Sequence, residues 1–231
     1  MGSNELGKIT VLLADDHPLI RKALRDTLEK EPDLEVIGEA SDGAEAVALT
    51  AQYRPDIVIM DIAMPVMNGV EATKRIKAAN PLTLVLILTV VHDINTIFNI
   101  LQVGASGYLV KSIFGPEVIR TIHALMDGDL VLAPDVSKEL RMFALRHKED
   151  RTRPASSKSS GGAKLSPRAV EVLALAAQGL SNKEISASLG VTEATVKGYL
   201  VEVFTHLNVR SRTEAVFVSL KTGLLNLDEL V

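Results

Sequence analysis

Two short apolar runs, each stopping on acid, constrain this chain more than any other feature. Ile9-Thr-Val-Leu-Leu-Ala14 ends on Asp15 and Asp16, and Ile57-Val-Ile-Met60 ends on Asp61. Runs this short, rich in β-branched residues and apolar without alternation, read as strands buried on both faces of a parallel sheet. In a doubly wound sheet of flavodoxin-like order, the first and third strands flank the ligand crevice at the strands' carboxyl ends. Three carboxylates are therefore expected in one crevice.

The rest of the first half fits that plan. Pro18 to Lys30 reads as a helix with Leu19, Ala23, Leu24 and Leu28 on one face, and Leu34 to Glu39 as a strand. Asp42-Gly-Ala-Glu45 is a capping-box pattern that opens a helix reaching Tyr53. A loop through Pro65 and Asn68-Gly69 leads from Asp61 into a helix ending before Pro81. Leu84 to Thr89 is a fourth strand, Asp93 to Gln102 a helix, Gly107 to Val110 a fifth strand ending on Lys111, and Pro116 to Met126 a last helix. This alternation predicts a (βα)5, flavodoxin-like α/β domain with a parallel five-stranded sheet over residues 1–130. Aromatics make up only 3% of a chain that is 47% hydrophobic, so its core is aliphatic, as such sheets prefer.

Beyond Gly128 the pattern changes. Residues 131–163 read as a linker, with an amphipathic helix from Asp135 to His147 and then a Ser/Gly/basic tether. Residues 164–231 read as a separate all-α domain of four helices. Ser166-Pro167 opens the first, Ser181-Asn-Lys-Glu184 boxes the second, Thr192 starts the third, and Ser211-Arg-Thr-Glu214 caps the last. A short helix, a glycine turn at Gly190 and a longer helix suit a helix-turn-helix and a plain helical hairpin equally. Charge also divides the chain: residues 1–137 carry a net −8, 138–158 hold seven bases against three acids, and the remainder is neutral. The absence of Cys excludes disulfides and thiol chemistry and fits a reducing compartment. The longest apolar run, Leu84 to Val91, is too short to span a bilayer, and no leader opens the chain, so a cytoplasmic location is expected.

Carboxylates ~4 Å apart repel by on the order of 4 kcal/mol at an effective dielectric of 20. Read as an oxygen cluster without His or Cys, Asp15, Asp16 and Asp61 suit Mg²⁺. Lys111 ends the fifth strand on the same edge and Thr89 the fourth, adding a cation and a hydroxyl. That set can stabilise a phosphoryl group on a carboxylate. A lone strand-end Asp is more simply a helix cap, and Asp16 before His17-Pro18 would pass as one. Five such residues on one edge argue for a site.

With these residues in view, Asp15-Asp16, Asp61-Ile-Ala-Met-Pro-Val-Met-Asn-Gly69, Thr89 and Gly104-Ala-Ser-Gly-Tyr-Leu-Val-Lys111 resemble the receiver domain of a two-component response regulator. Leu165-Ser-Pro-Arg168, Gly179-Leu-Ser-Asn-Lys-Glu-Ile185, Thr195-Val-Lys197 and Val209-Arg-Ser-Arg-Thr213 resemble the LuxR-type helix-turn-helix. Together they are similar to the NarL/FixJ subfamily. The resemblance implies that Asp61 accepts a phosphoryl group from a sensor histidine kinase and holds Mg²⁺ with Asp15 and Asp16. Lys111 would bind a phosphate oxygen, Thr89 and Tyr108 would form the switch pair, and the chain would be a regulator of transcription without turnover of its own. Double-stranded DNA would meet the face of the third C-terminal helix holding Thr195, Lys197, Gly198 and Val201. A homodimer is expected on phosphorylation or on DNA.

Departures from that pattern matter. Val90 stands where a small residue is usual and is expected to crowd the pocket mouth. Ala63 and Val91 cannot orient a hydrolytic water. On the DNA face only Lys197 is basic and Glu202 is expected to repel phosphate, leaving Lys183, Arg210 and Arg212 as backbone contacts. Ala169 replaces a usual Glu. The last helix, with Ala215-Val-Phe-Val-Ser-Leu220 apolar nearly all round, is expected to leave one face for a dimer partner. Two rivals stand: a receiver whose helix-turn-helix binds protein, and a Mg²⁺-dependent hydrolase, for which no general acid stands beside Asp61 in sequence.

Overall fold

A computed structural model describes residues 7–90, 94–111, 115–128, 131–132, 165–209 and 211–225. The expected linker helix and tether, Val91, Asp93 and Arg210 lie outside these residues. By internal packing the chain divides into two compact units, Met1–Met126 and Asp127–Val231.

In the first unit, strands and helices alternate as β1 (Ile9–Ala14), α1 (Pro18–Leu28), β2 (Leu34–Ala40), α2 (Gly43–Tyr53), β3 (Ile57–Met60), α3 (Gly69–Ala79), β4 (Leu84–Thr89), α4 (Ile94–Gln102), β5 (Gly107–Val110) and α5 (Pro116–Met126). Strands β1 to β5 pair in parallel, in the order β2-β1-β3-β4-β5. Every residue of β3 is buried, as are Val11 to Ala14 of β1 and Val85 to Thr89 of β4. This is why these runs show no alternation in sequence: helices cover both faces.

Capping residues set the helix starts. Asp42 accepts from the amides of Ala44 and Glu45, and Asn68 from that of Glu71. The expected Asp42–Glu45 box is displaced by one residue, because Glu45 accepts from the amide and hydroxyl of Ser41. In α1, Leu24 and Leu28 are buried but Leu19 is 82% exposed and Ala23 is exposed too, so both leave the apolar face assigned to them. Leu19 lies in the first turn, beyond the reach of the sheet's apolar surface.

The second unit contains α6 (Pro167–Ala177), α7 (Asn182–Leu189), α8 (Glu193–Leu207) and α9 (Arg212–Thr222). Ser166, Ser181, Thr192 and Ser211 cap them in turn, and Gly190 turns α7 into α8 at φ 65°. One core cluster joins Val172, Ala176, Ile185, Val196 and Leu200; another joins Ala169, Leu173, Val203, Val209, Ala215, Val216 and Leu225. In α9, Ala215, Val216, Phe217 and Ser219 are all buried, and Val218 and Leu220 pack partly against the second cluster. The second apolar face expected to be free for a partner is thus largely used inside the chain. No described helix is long and apolar enough to cross a membrane.

Candidate functional site

Strand register assembles the acidic site. Ala14 pairs with Met60 across β1 and β3, so Asp15 and Asp61 leave adjacent strands side by side. Thr89 pairs with Val110 across β4 and β5, and the Lys111 amide donates to the Thr89 carbonyl at 2.8 Å. Asp15, Asp61, Thr89 and Lys111 are buried, while Asp16 sits at the rim.

Lys111 Nζ lies 2.8 Å from Asp15 Oδ2 and 2.7 Å from Asp61 Oδ2. Burial alone would lower the pKa of its ammonium, but hydrogen bonds to both carboxylates outweigh this and raise it. One cation therefore serves two buried acids, with a third beside them. The amide of Ile62 donates to Asp61 Oδ1 at 2.8 Å, and that of His17 to Asp15 Oδ1 at 2.9 Å, which fixes both carboxylates. Tyr108 is fully buried on β5, and burial raises its phenol pKa. Its ring is thus an interior group in this structure, not a surface one.

The loop after Asp61 is drawn tightly over the strand end. The Gly69 amide donates to the Ile62 carbonyl at 2.9 Å, and a Cβ on Gly69 would lie 2.0 Å from the Asp61 carbonyl oxygen. No other residue fits there. Val66, in the same loop, has φ 62° and is 88% exposed. A β-branched residue strains in the left-handed region, at a cost of about 1–2 kcal/mol. Val66→Asn is therefore expected to stabilise the chain by about 1 kcal/mol in chemical denaturation, because Asn tolerates that conformation. Val90, directly after Thr89, is 64% exposed.

Sequence reasoning counted no nitrogen donor here, and that is corrected. His17 Nδ1 lies 2.7 Å from Asp16 Oδ1 and 3.3 Å from Asp15 Oδ1. One donor atom from each of Asp15, Asp16, His17 and Asp61 falls within 4.8 Å of all the others, a spread that a single metal ion can span. Asp16 Oδ1 is buried and accepts no hydrogen bond, which fits a group awaiting a cation. The signal was local: His17 follows the acidic pair directly.

In the second unit, Lys183, Thr195, Lys197 and Gly198 are exposed on α7 and α8, and Val201 is 61% exposed. Two expected DNA-facing groups are not on that face. Glu202 accepts from the Ser166 amide at 2.7 Å and from its hydroxyl at 3.0 Å. The same pair of bonds closes the capping box at α7, where Ser181 gives its amide and hydroxyl to Glu184 at 2.7 and 2.8 Å. At α6 the corresponding third position is Ala169, which has no carboxylate. Glu202 supplies one from another helix. The two departures, a missing acid and an extra one, are a single structural exchange.

Arg212 is the second correction. It is only 3% exposed and donates to the Leu180 carbonyl and, at 3.2 Å, to Asn182 Oδ1. The guanidinium ties the start of α9 to the turn before α7, so it does not reach phosphate. Arg212→Ala is expected to destabilise this unit by about 3 kcal/mol, because buried polar partners lose a charged donor. A calorimetric transition unchanged in that variant would contradict the assignment.

Comparison with known proteins agrees with this geometry. Residues 11–123 match the model of the response regulator receiver domain, and residues 163–219 that of bacterial regulatory proteins of the luxR family. The chain is 36% identical to the transcriptional regulatory protein LiaR of Bacillus subtilis, over 94% of this chain and 100% of that protein. It is 30% identical to the nitrate/nitrite response regulator NarL of Escherichia coli, over 89% of this chain and 92% of the relative. Among solved structures, the response regulator ChrA of a heme-sensing two-component system aligns with 95% of this chain and all of its own, at 33% identity and TM-score 0.50. A LuxR-family response regulator from Aurantimonas aligns with 60% of this chain and 99% of its own, at 33% identity and TM-score 0.56. The chain belongs to the two-component response regulators that join a receiver domain to a LuxR-type DNA-binding helix-turn-helix.

Proposed function

We propose that Asp61 takes a phosphoryl group from a sensor histidine kinase and that this controls binding of the C-terminal domain to double-stranded DNA. The observation that carries this reading is the double contact of Lys111 with Asp15 and Asp61 at the carboxyl edge of the sheet. A cation held there suits phosphoryl oxygens. Asp15, Asp16 and Asp61 would hold Mg²⁺, which when bound neutralises charge on the transferring group. An oxygen of Asp61 attacks phosphorus as the bond to the donor breaks, and Lys111 moves from the carboxylate onto a phosphoryl oxygen. The Thr89 hydroxyl offers a further donor, and Tyr108, buried one strand away, is the group whose position follows it. A gain of about −1.5 to −2 charge at one edge is enough to bias a face with two arrangements.

Ala63 carries no polar group beside Asp61, so water meets the phosphoryl group without an orienting partner. The phosphorylated form is expected to be long-lived, and Ala63→Asn to shorten its lifetime several-fold by mass spectrometric decay. An unchanged lifetime would place control elsewhere.

For the output, α8 would lie in the major groove with Thr195, Lys197, Gly198 and Val201 toward DNA, and Lys183 and Arg210 on phosphates. Residues 1–130 would be the receiver, 131–163 the linker and 164–231 the DNA-binding domain, in a cytoplasmic regulator. A homodimer on DNA would use a surface other than the buried positions of α9. Lys197→Ala is expected to reduce the slope of log affinity against log salt by about one unit. Recovering DNA fragments bound in cells tests the whole reading: wild type should enrich particular fragments and Asp61→Asn should lose that enrichment. Enrichment of proteins alone would favour an interaction module instead.

A further inference from the structure

We infer that His17 is a nitrogen ligand at the acidic site, and that it turns the site's preference from Mg²⁺ toward a first-row cation that accepts nitrogen more readily than Mg²⁺ does, such as Mn²⁺. This rests on the metal-binding role proposed for Asp15, Asp16 and Asp61.

The geometry is unusual for a structural histidine. Nδ1 stands 2.7 Å from Asp16 Oδ1, within hydrogen-bonding distance, yet that oxygen accepts no hydrogen bond. A short contact without hydrogen-bond alignment means that the two donor atoms lie side by side instead of pointing at each other. Neighbouring ligands on an octahedral ion are spaced in this way: at metal–ligand distances of ~2.1 Å they are about 3 Å apart, and opposite ones about 4.2 Å apart. His17 Nδ1 is 2.7 and 3.3 Å from the nearest oxygens of Asp16 and Asp15, and the whole set spans no more than 4.8 Å. The His17 amide donates to Asp15 Oδ1 at 2.9 Å, so the backbone that carries the imidazole is fastened to the site.

The chemistry gives this a consequence. Mg²⁺ prefers oxygen and keeps its water, whereas imidazole suits later first-row ions, whose affinities for nitrogen donors rise from Mn²⁺ onward. His17 is 63% exposed, so Nε2 reaches water and can carry the ring proton while Nδ1 offers its lone pair. Ligation therefore needs no buried charge to be created on the ring.

The test uses the full-length protein and the metals alone. Electron spin-echo measurements on the Mn²⁺ complex should show ¹⁴N coupling from one imidazole, lost in His17→Gln. By calorimetric titration, the ratio of Mn²⁺ to Mg²⁺ affinity should fall about tenfold in that variant, the scale on which losing a group at a metal site acts. Asp61→Asn should weaken both metals. Mn²⁺ held in an Asp61-dependent manner without ¹⁴N coupling overturns the His17 assignment alone. Coupling that persists in His17→Gln does the same, since another histidine must then supply it. Failure of either metal to bind in an Asp61-dependent manner overturns this inference and the metal role beneath it.

Discussion

Glu202→Lys is expected to destabilise the C-terminal domain and weaken DNA binding, although the substitution adds positive charge to the helix proposed to face DNA. Glu202 holds both the amide and the hydroxyl of Ser166, at 2.7 and 3.0 Å, where α6 begins. Lys removes two charge-assisted hydrogen bonds and brings a cation to a helix N-terminus, whose dipole favours anions. The loss should be about 2–3 kcal/mol. For a domain of this size that lowers Tm by roughly 10–20 °C, read as the corresponding transition in calorimetry. Glu202→Gln, which keeps one acceptor oxygen, should lie between wild type and Lys. A double-mutant cycle isolates the contact: Ser166→Ala should cost about 1 kcal/mol more in the Glu202 background than once Glu202 is Ala, where only the cap on the Ala169 amide is lost. Additive effects would separate the two residues. Tighter binding to all DNA by Glu202→Lys, with Tm unchanged, would return Glu202 to the DNA face as a repelling charge.

This case shows where sequence reasoning reaches its limit. Signals that act along the chain were legible. Continuous apolar runs placed β1, β3 and β4, Ser166, Ser181, Thr192 and Ser211 placed the C-terminal helices, and terminal residues placed the acids, Thr89 and Lys111 on one sheet edge. Each depends on periodicity or on contacts within four residues. Signals that act across elements were not. In α8 the helical period sets buried Val196, Leu200 and Val203 on one side, but it cannot say which of the remaining residues face DNA. Glu202 has its partner 36 positions away and Arg212 has one 30 positions away, and neither distance leaves a trace in local pattern. The apolar composition of α9 likewise could not say whether one face or nearly all of it packs. At Val66 the backbone enters a conformation that its side chain disfavours, so propensity pointed away from the observed turn. Sequence placed His17 beside the acids and read it only as the residue before Pro18; the side-chain geometry makes it part of the cluster.

What surrounds each charged residue decides what it does. Lys111 is buried against two acids and keeps its charge because they outweigh the effect of burial. Lys197 is an exposed cation on α8, with Asp127 Oδ1 4.0 Å away. Arg212 is buried on a carbonyl and an amide and acts as a fastener. Residues of one chemical type are thus a buried counter-charge, an exposed cation and a structural tie.

The central claim, that Asp61 is the phosphoryl acceptor, is tested most directly by intact-mass spectrometry after incubating the full-length protein with Mg²⁺ and a small phosphodonor. Wild type should gain the mass of one phosphoryl group, and peptide mapping should place it on Asp61. Asp61→Asn should gain none, since its amide cannot attack phosphorus as a carboxylate does. Lys111→Met should fold, judged by circular dichroism, but label poorly, because Asp61 would lose the cation that meets the incoming charge. Stoichiometric labelling of Asp61→Asn would contradict the account at its base.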